Sequence, residues 1–241
     1  MEKKPKIAVL RWEEGHVPQG LLQLGDMPGN STNRDSYPFP VRLIHVPGAN
    51  VDTIITNPSP KVLADMIAIS KKLVEEEDIK AITTSCGFNA IFQTELAAAL
   101  PVPVFTSALL QVPFVQYMIG KDKTVAVITA SKASLTKKHL LACGITDDMN
   151  VEIFGLENAK EWSKIFDNPN EAFDMEAVSE EIVGMAKAAV ESNPNIGAIV
   201  LECTDLPPYA SRMRETLGLP VFDFNSMMGH VAIGLEDIKL Y

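Results

Sequence analysis

Two cysteines stand in matching surroundings. Thr83-Thr84-Ser85-Cys86-Gly87-Phe88-Asn89-Ala90 follows the apolar run Ile79-Lys80-Ala81-Ile82, and Glu202-Cys203-Thr204-Asp205 follows Gly197-Ala198-Ile199-Val200-Leu201. Each thiol falls where a strand ends and a helix begins, over the first unpaired amides of that helix. The positive end of the helix dipole is expected to lower a thiol pKa from about 8.5, which favours thiolate. The same amides can receive a substrate carboxylate and hold the negative charge that grows as an α-proton leaves. Two such sulfurs facing one cleft supply a base and an acid for opposite faces of one carbon. That chemistry requires neither metal nor pyridoxal cofactor, and no cofactor is expected. The four histidines (His16, His45, His139, His230) make no metal-binding spacing, and nothing singles out a Schiff-base lysine.

The elements that must place these thiols repeat along the chain. The segment 80–86 maps onto 197–203, an offset of 117 residues, and at the same offset Pro103-Val104-Phe105 falls on Pro220-Val221-Phe222. Lys6-Ile7-Ala8-Val9-Leu10 likewise falls on Lys123-Thr124-Val125-Ala126-Val127. Three matches at one offset predict a duplicated α/β unit. Hydrophobic patterning places strands over 7–11, 41–46, 79–85, 102–106, 124–129, 150–156, 196–202 and 220–224. Helices are predicted over 61–77, 88–100, 107–119, 171–193, 207–217 and 226–237, with one more capped at Ser131 or Ser134. Alternation of this kind implies parallel sheets, with ligands outside the carboxyl ends of the strands. Residues 1–106 plus 225–241 are assigned to a first α/β lobe and 107–224 to a second. The stretch 12–40 has no sustained period and many Gly, Pro, Asn and Ser residues. It reads as a functional loop over the cleft with a short helix near 20–24, against the alternative of a disordered insertion.

TTSCGFNA and LECTDLPPYA, on lobes related by an internal repeat, resemble the aspartate/glutamate/hydantoin racemase superfamily. The resemblance extends over nearly the whole chain. It implies two Rossmann-like α/β lobes with pseudo-twofold symmetry, an active site in the cleft between them, and cofactor-independent inversion at a carbon beside a carboxylate or carbonyl. It also implies that Cys86 and Cys203 are the catalytic thiols, and that the closing helix returns to the first lobe. Thr84, Ser85, Gly87, Phe88, Asn89, Thr129, Ser131, Thr204 and Asp205 are the substrate-contact candidates. Where glutamate racemases carry Cys-Asn-Thr and Cys-Thr-His, this chain has Cys86-Gly87-Phe88 and Cys203-Thr204-Asp205. Where they carry Asp-Ser after the first strand, it has Arg11-Trp12-Glu13-Glu14. These departures point away from glutamate and leave the thiol pair intact. The expected activity is therefore racemisation or epimerisation of a small carboxylate. A cis–trans isomerase or a decarboxylase within the same superfamily is the nearest alternative, and a non-catalytic ligand-binding sensor is the alternative from another class.

Composition narrows the partners. The 241 residues carry 21 Lys and Arg against 31 Asp and Glu, a net charge of −10. That disfavours nucleic acid and anionic membranes, and no apolar run approaches the roughly 20 residues of a membrane span. Met1-Glu2-Lys3-Lys4-Pro5 leads into a strand with no signal-peptide apolar region. The cysteines number three, without a CxxC, which predicts free thiols in a reducing cytoplasm. A small carboxylate is the expected partner, and assembly into a homo-oligomer is left open. Cys143 reads as a small buried hydrophobe. Glu202 is assigned a supporting role, because strand alternation turns it away from Cys203. Asp205 reads first as a helix N-cap.

Overall fold

The apolar runs become two parallel sheets. A computed structural model describes residues 4–15 and 17–235. In it β1 (Ile7–Arg11), β2 (Val41–His45), β3 (Ala81–Thr84) and β4 (Val104–Phe105) form one sheet in the order β2-β1-β3-β4. The second sheet joins β5 (Thr124–Thr129), β6 (Val151–Gly155), β7 (Ile196–Leu201) and β8 (Val221–Phe222) in the order β6-β5-β7-β8. The two orders are the same, as duplication requires. The central strands β1, β3, β5 and β7 are runs of Ile, Val, Ala, Leu and Thr buried on both faces, the composition that parallel sheets covered by helices demand.

The helices are α1 (Gln19–Gly25), α2 (Pro60–Glu77), α3 (Gln93–Ala99), α4 (Val112–Ile119) and α5 (Lys137–Ala142), followed by α6 (Lys164–Asp167), α7 (Met175–Ser192), α8 (Ala210–Leu217) and α9 (Phe224–Gly234). Ala8 and Leu10 of β1 face the main core, whereas Ile7 and Val9 face α9 through Phe224, Met227 and Met228. The last helix therefore closes the outer face of the first sheet. Each fully buried large side chain there contributes about 2–3 kcal/mol. Residues 1–3 and 236–241 of the first-lobe assignment, and with them the end of the expected 226–237 helix, lie outside the described residues.

Several boundaries differ from the sequence reading, each for a local reason. The predicted helices 88–100, 107–119 and 207–217 open as 3-10 turns (Gly87–Phe92, Ala108–Gln111 and Pro207–Tyr209) before becoming α-helical. α5 begins not at Ser131 or Ser134 but after Thr136, whose side chain forms a reciprocal cap with His139. A π-helical turn, Asp52–Thr56, had no periodic signature to announce it. The repeat itself carries a slip. Ile7 pairs with Ala81 while Val125 pairs with Ala198, and the register of the second pairing also shifts between Thr124 and Val125. The first strand thus repeats at 118, and the third and fourth at 117.

Candidate active site

Cys86 and Cys203 leave their sheets in the same way. The Ser85 amide donates to Leu10 C=O and the Glu202 amide to Ile128 C=O, both at 2.8 Å. Each of these residues directly precedes its cysteine, so the thiols occupy equivalent points at the carboxyl edges of the two sheets. Both line one cavity of about 210 Å³. The amide two residues on, Phe88 in one loop and Asp205 in the other, is directed at the sulfur.

The loops touch across the seam between the sheets. Thr204 Oγ1 donates to Ser85 C=O at 2.5 Å. A Cβ placed on Gly87 would lie 2.2 Å from Glu202 C=O and 2.3 Å from Glu202 Oε1. No side chain fits there, so glycine after Cys86 permits the close approach. Asp205 is not a helix cap: the following 3-10 turn starts from Leu206. Its Oδ1 accepts from Asn30 Nδ2 at 2.7 Å, and its Oδ2 lies 3.8 Å from Cys203 Sγ, in position to accept the thiol proton.

The electrostatics reverse the helix-dipole expectation. Burial pushes both thiols up, with Glu202 and Asp205 adding to the rise at Cys86, and Asp205 and Glu202 at Cys203. A six-residue 3-10 turn whose cap is Cys86 offers little dipole, and one amide does not offset desolvation. Burial also raises Asp205 to about 6 and Glu202 to about 7. The indole N–H of Trp12, buried and without a hydrogen-bond partner, lies near enough to Cys86 to favour its thiolate.

Of the sequence candidates, Ser85, Gly87, Phe88, Thr204 and Asp205 line the cavity with the two thiols. The others hold the loops in place. Thr84 Oγ1 donates to Thr106 C=O and Cys86 C=O, and Asn89 Nδ2 donates to Cys86 C=O. Thr129 Oγ1 donates to Glu202 Oε2 at 2.8 Å, and Ser131 Oγ accepts from the Ser134 amide at 3.2 Å. Cys143 is buried at the end of α5, away from the cavity lining, with its thiol pushed up to about 12 by burial.

The described residues of the stretch 12–40 form an ordered cover rather than a disordered insertion. Trp12, Leu21 and Asp26 line the cavity, and α1 is tied to the other lobe by Gln19 N–H to Pro169 C=O and by both ends of the Gln23 amide to Phe173. Arg11, Trp12 and Trp162 were missed as site residues. Arg11 is the one basic side chain lining the cavity among the described residues. Its only sequence signal was Arg11-Trp12 replacing the Asp-Ser pair, whereas Trp162 sits in a segment with no pattern. No group of His, Cys, Asp and Glu among the described residues is arranged to hold a metal ion.

No protein-family model matches the chain. An aspartate racemase homologue from Pyrococcus horikoshii OT3 superposes with a TM-score of 0.59 at 20% identity, covering 99% of this chain and 100% of that one. Fold and edge geometry together define a two-lobed α/β protein that shares its fold with that structure. In sequence, a dimethylsulfoniopropionate lyase from Durusdinium sp. clade D is 30% identical over 217 residues, 86% of this chain and 71% of that protein. Dimethylsulfoniopropionate lyase 6 from Emiliania huxleyi (strain CCMP1516) is 29% identical, covering 97% of this chain and 60% of the relative. The chain belongs to the dimethylsulfoniopropionate lyase family.

Proposed function

We propose that the chain is a lyase that cleaves a β-sulfonio carboxylate of the dimethylsulfoniopropionate type, with Cys86 as the base. The observation that carries the reading is the kinship with a dimethylsulfoniopropionate lyase over 86% of the chain. The cavity suits such a substrate. Arg11 and the amides after Cys86 can receive the carboxylate, while Trp12, Trp162 and Asp205 offer aromatic faces and a negative charge to a sulfonium.

The chemistry is an elimination. Cys86 thiolate takes a proton from the carbon next to the carboxylate, and the C–H electron pair becomes the new C=C bond. The C–S bond breaks with its electrons on sulfur. Dimethyl sulfide leaves uncharged and an unsaturated carboxylate remains, so the leaving group needs no proton. Cys86 then releases its proton to solvent. A buried thiol held above its ordinary range ionises more easily once the substrate's cation enters. A unit charge about 5 Å away at an effective dielectric near 20 is worth about 3 kcal/mol, or roughly two pH units. Cys203, whose proton Asp205 can hold, is the poorer base.

Racemisation or epimerisation of a small carboxylate is the second reading, favoured by the equivalent placement of Cys203. Both readings begin with removal of an α-proton, and they part at its fate. The purified protein is incubated with dimethylsulfoniopropionate and the headspace assayed for dimethyl sulfide. Parallel incubations in deuterium oxide follow α-exchange in a panel of amino and hydroxy acids. Release of the sulfide supports the lyase. Exchange across the panel without sulfide release transfers support to the racemase, and silence in both assays sinks both.

A further inference from the structure

Glu202 is sealed in the seam with none of its surface exposed. Oε2 accepts from Thr129 Oγ1 at 2.8 Å, and Oε1 has no partner. That unpaired oxygen rests on the backbone of Gly87, where even a Cβ would come within 2.3 Å of it. Four ionisable groups face the carboxyl. Cys86 approaches from across the seam, Cys203 and Asp205 lie on the same strand end, and Cys143 lies at the end of α5. All are thiols or carboxyls, and Thr129 from β5 is uncharged. An ionised Glu202 would therefore sit buried beside other acids with one hydrogen bond and no cation to compensate it.

We propose that Glu202 is a positioning residue that stores a proton in the seam and thereby sets how readily Cys86 ionises. Protonated, it rests a neutral group on the Cys86 loop. Ionised, it places a negative charge next to the thiol and suppresses the thiolate. Burial brings its titration to about 7, so the two states exchange across neutral pH. The inference deepens the thiol-base reading of the site, but its readout needs no substrate.

The test is site-resolved alkylation of Cys86 by iodoacetamide in the intact folded protein between about pH 5.5 and 9.5, followed by mass spectrometry. Glu202→Gln keeps the shape and an acceptor for Thr129 but cannot ionise. Its Cys86 should react at the wild-type rate at the acid end and about tenfold faster at the alkaline end. A purely packing role would change the rate by the same factor at every pH, and that result overturns the proposal. Thr129→Val supplies a second arm should Glu202→Gln fail to fold. It removes the hydrogen bond that favours the carboxylate, so suppression of the thiolate should begin at higher pH than in wild type. A Thr129→Val profile superposable on wild type overturns the proposal equally. A protein that shows the Glu202 signature yet releases no dimethyl sulfide refutes the lyase reading and leaves the role of Glu202 intact.

Discussion

The Cys86 and Cys203 loops share a backbone and differ in charge. Both leave a central strand through one 2.8 Å hydrogen bond, and both aim the amide two residues on at the sulfur. At the offset of 117, however, Ser85 faces Glu202, Gly87 faces Thr204, and Phe88 faces Asp205. The second loop carries two acids where the first carries none. Cys203 thus lies 3.8 Å from a carboxylate oxygen able to hold its proton, while Cys86 has the Trp12 indole N–H nearby. The repeat gives the sulfurs equivalent positions, and on the proposed reading the differing neighbours make Cys86 the better base. An elimination needs such inequality, because only one proton has to be taken. A racemase needs the two sulfurs to exchange roles.

The largest effect expected from this comparison is on the thiols themselves. Removing the base should lower lyase turnover by about 10³-fold or more for Cys86→Ala, within the range of general base catalysis. Cys203→Ala should cost about 10- to 100-fold, through altered packing and charge around Asp205. Dimethyl sulfide release by the two variants, at matched folded concentrations, measures the difference. Equal losses would erase the asymmetry and restore the two-base reading. Next in size is the contact that brings the loops together. Gly87→Ala forces a methyl against Glu202 C=O and Oε1 at 2.2 and 2.3 Å, and a backbone oxygen cannot swing away. Overpacking of this kind costs about 1–3 kcal/mol, and displacing Cys86 should cost about 10²-fold in turnover. Thr204→Ala, at the matching position, loses only the hydrogen bond to Ser85 C=O, about 1 kcal/mol. Denaturant midpoints and turnover of the pair should rank Gly87→Ala as the more damaging.

Much of this frame was legible in the sequence, and the reason is local. β1, β3, β5 and β7 are short apolar runs with clear ends, and a repeated string needs no tertiary knowledge to be seen. What escaped depends on partners far along the chain. The stretch 12–40 has no period because its order comes from Gln23 to Phe173 and from Asn30 to Asp205, contacts spanning 150 and 175 residues. The thiol pKa values were read from an expected helix dipole and came out in the wrong direction. Burial and two carboxylates, both on the Cys203 loop, outweigh a single amide. Thr129 resembled a substrate contact because it ends a strand beside the site. Its hydroxyl is committed to Glu202, a pairing invisible until the two strands lie side by side. The asymmetry of the loops was present in the letters, but its meaning required knowing that Glu202 turns inward against Gly87.

The effect confined to stability isolates what the acid of the second loop costs the fold. Glu202 titrates at about 7 in the folded chain, against an ordinary value of 4.5. The folded state therefore holds this proton more tightly than the unfolded chain does. Below about pH 4.5 both states are protonated and the group carries no ionisation penalty. Between there and about pH 7 the unfolded chain ionises first, so stability falls as pH rises, and above about pH 7 the full penalty remains. That penalty is at most about 3 kcal/mol. Glu202→Gln cannot ionise and should be spared this loss. Its buried amide adds an unpaired donor, a pH-independent cost of about 1–2 kcal/mol that shifts the whole curve. Urea unfolding at about pH 4.5, 6 and 8 should show the variant gaining on wild type by up to about 3 kcal/mol across the range, from a lower starting point. Ser85→Ala, at the matching position of the other loop, removes no acid and should run parallel to wild type. Parallel curves for Glu202→Gln as well would mean that Glu202 titrates alike in the folded and unfolded chains, and the acid of the second loop would then cost the fold nothing as pH rises.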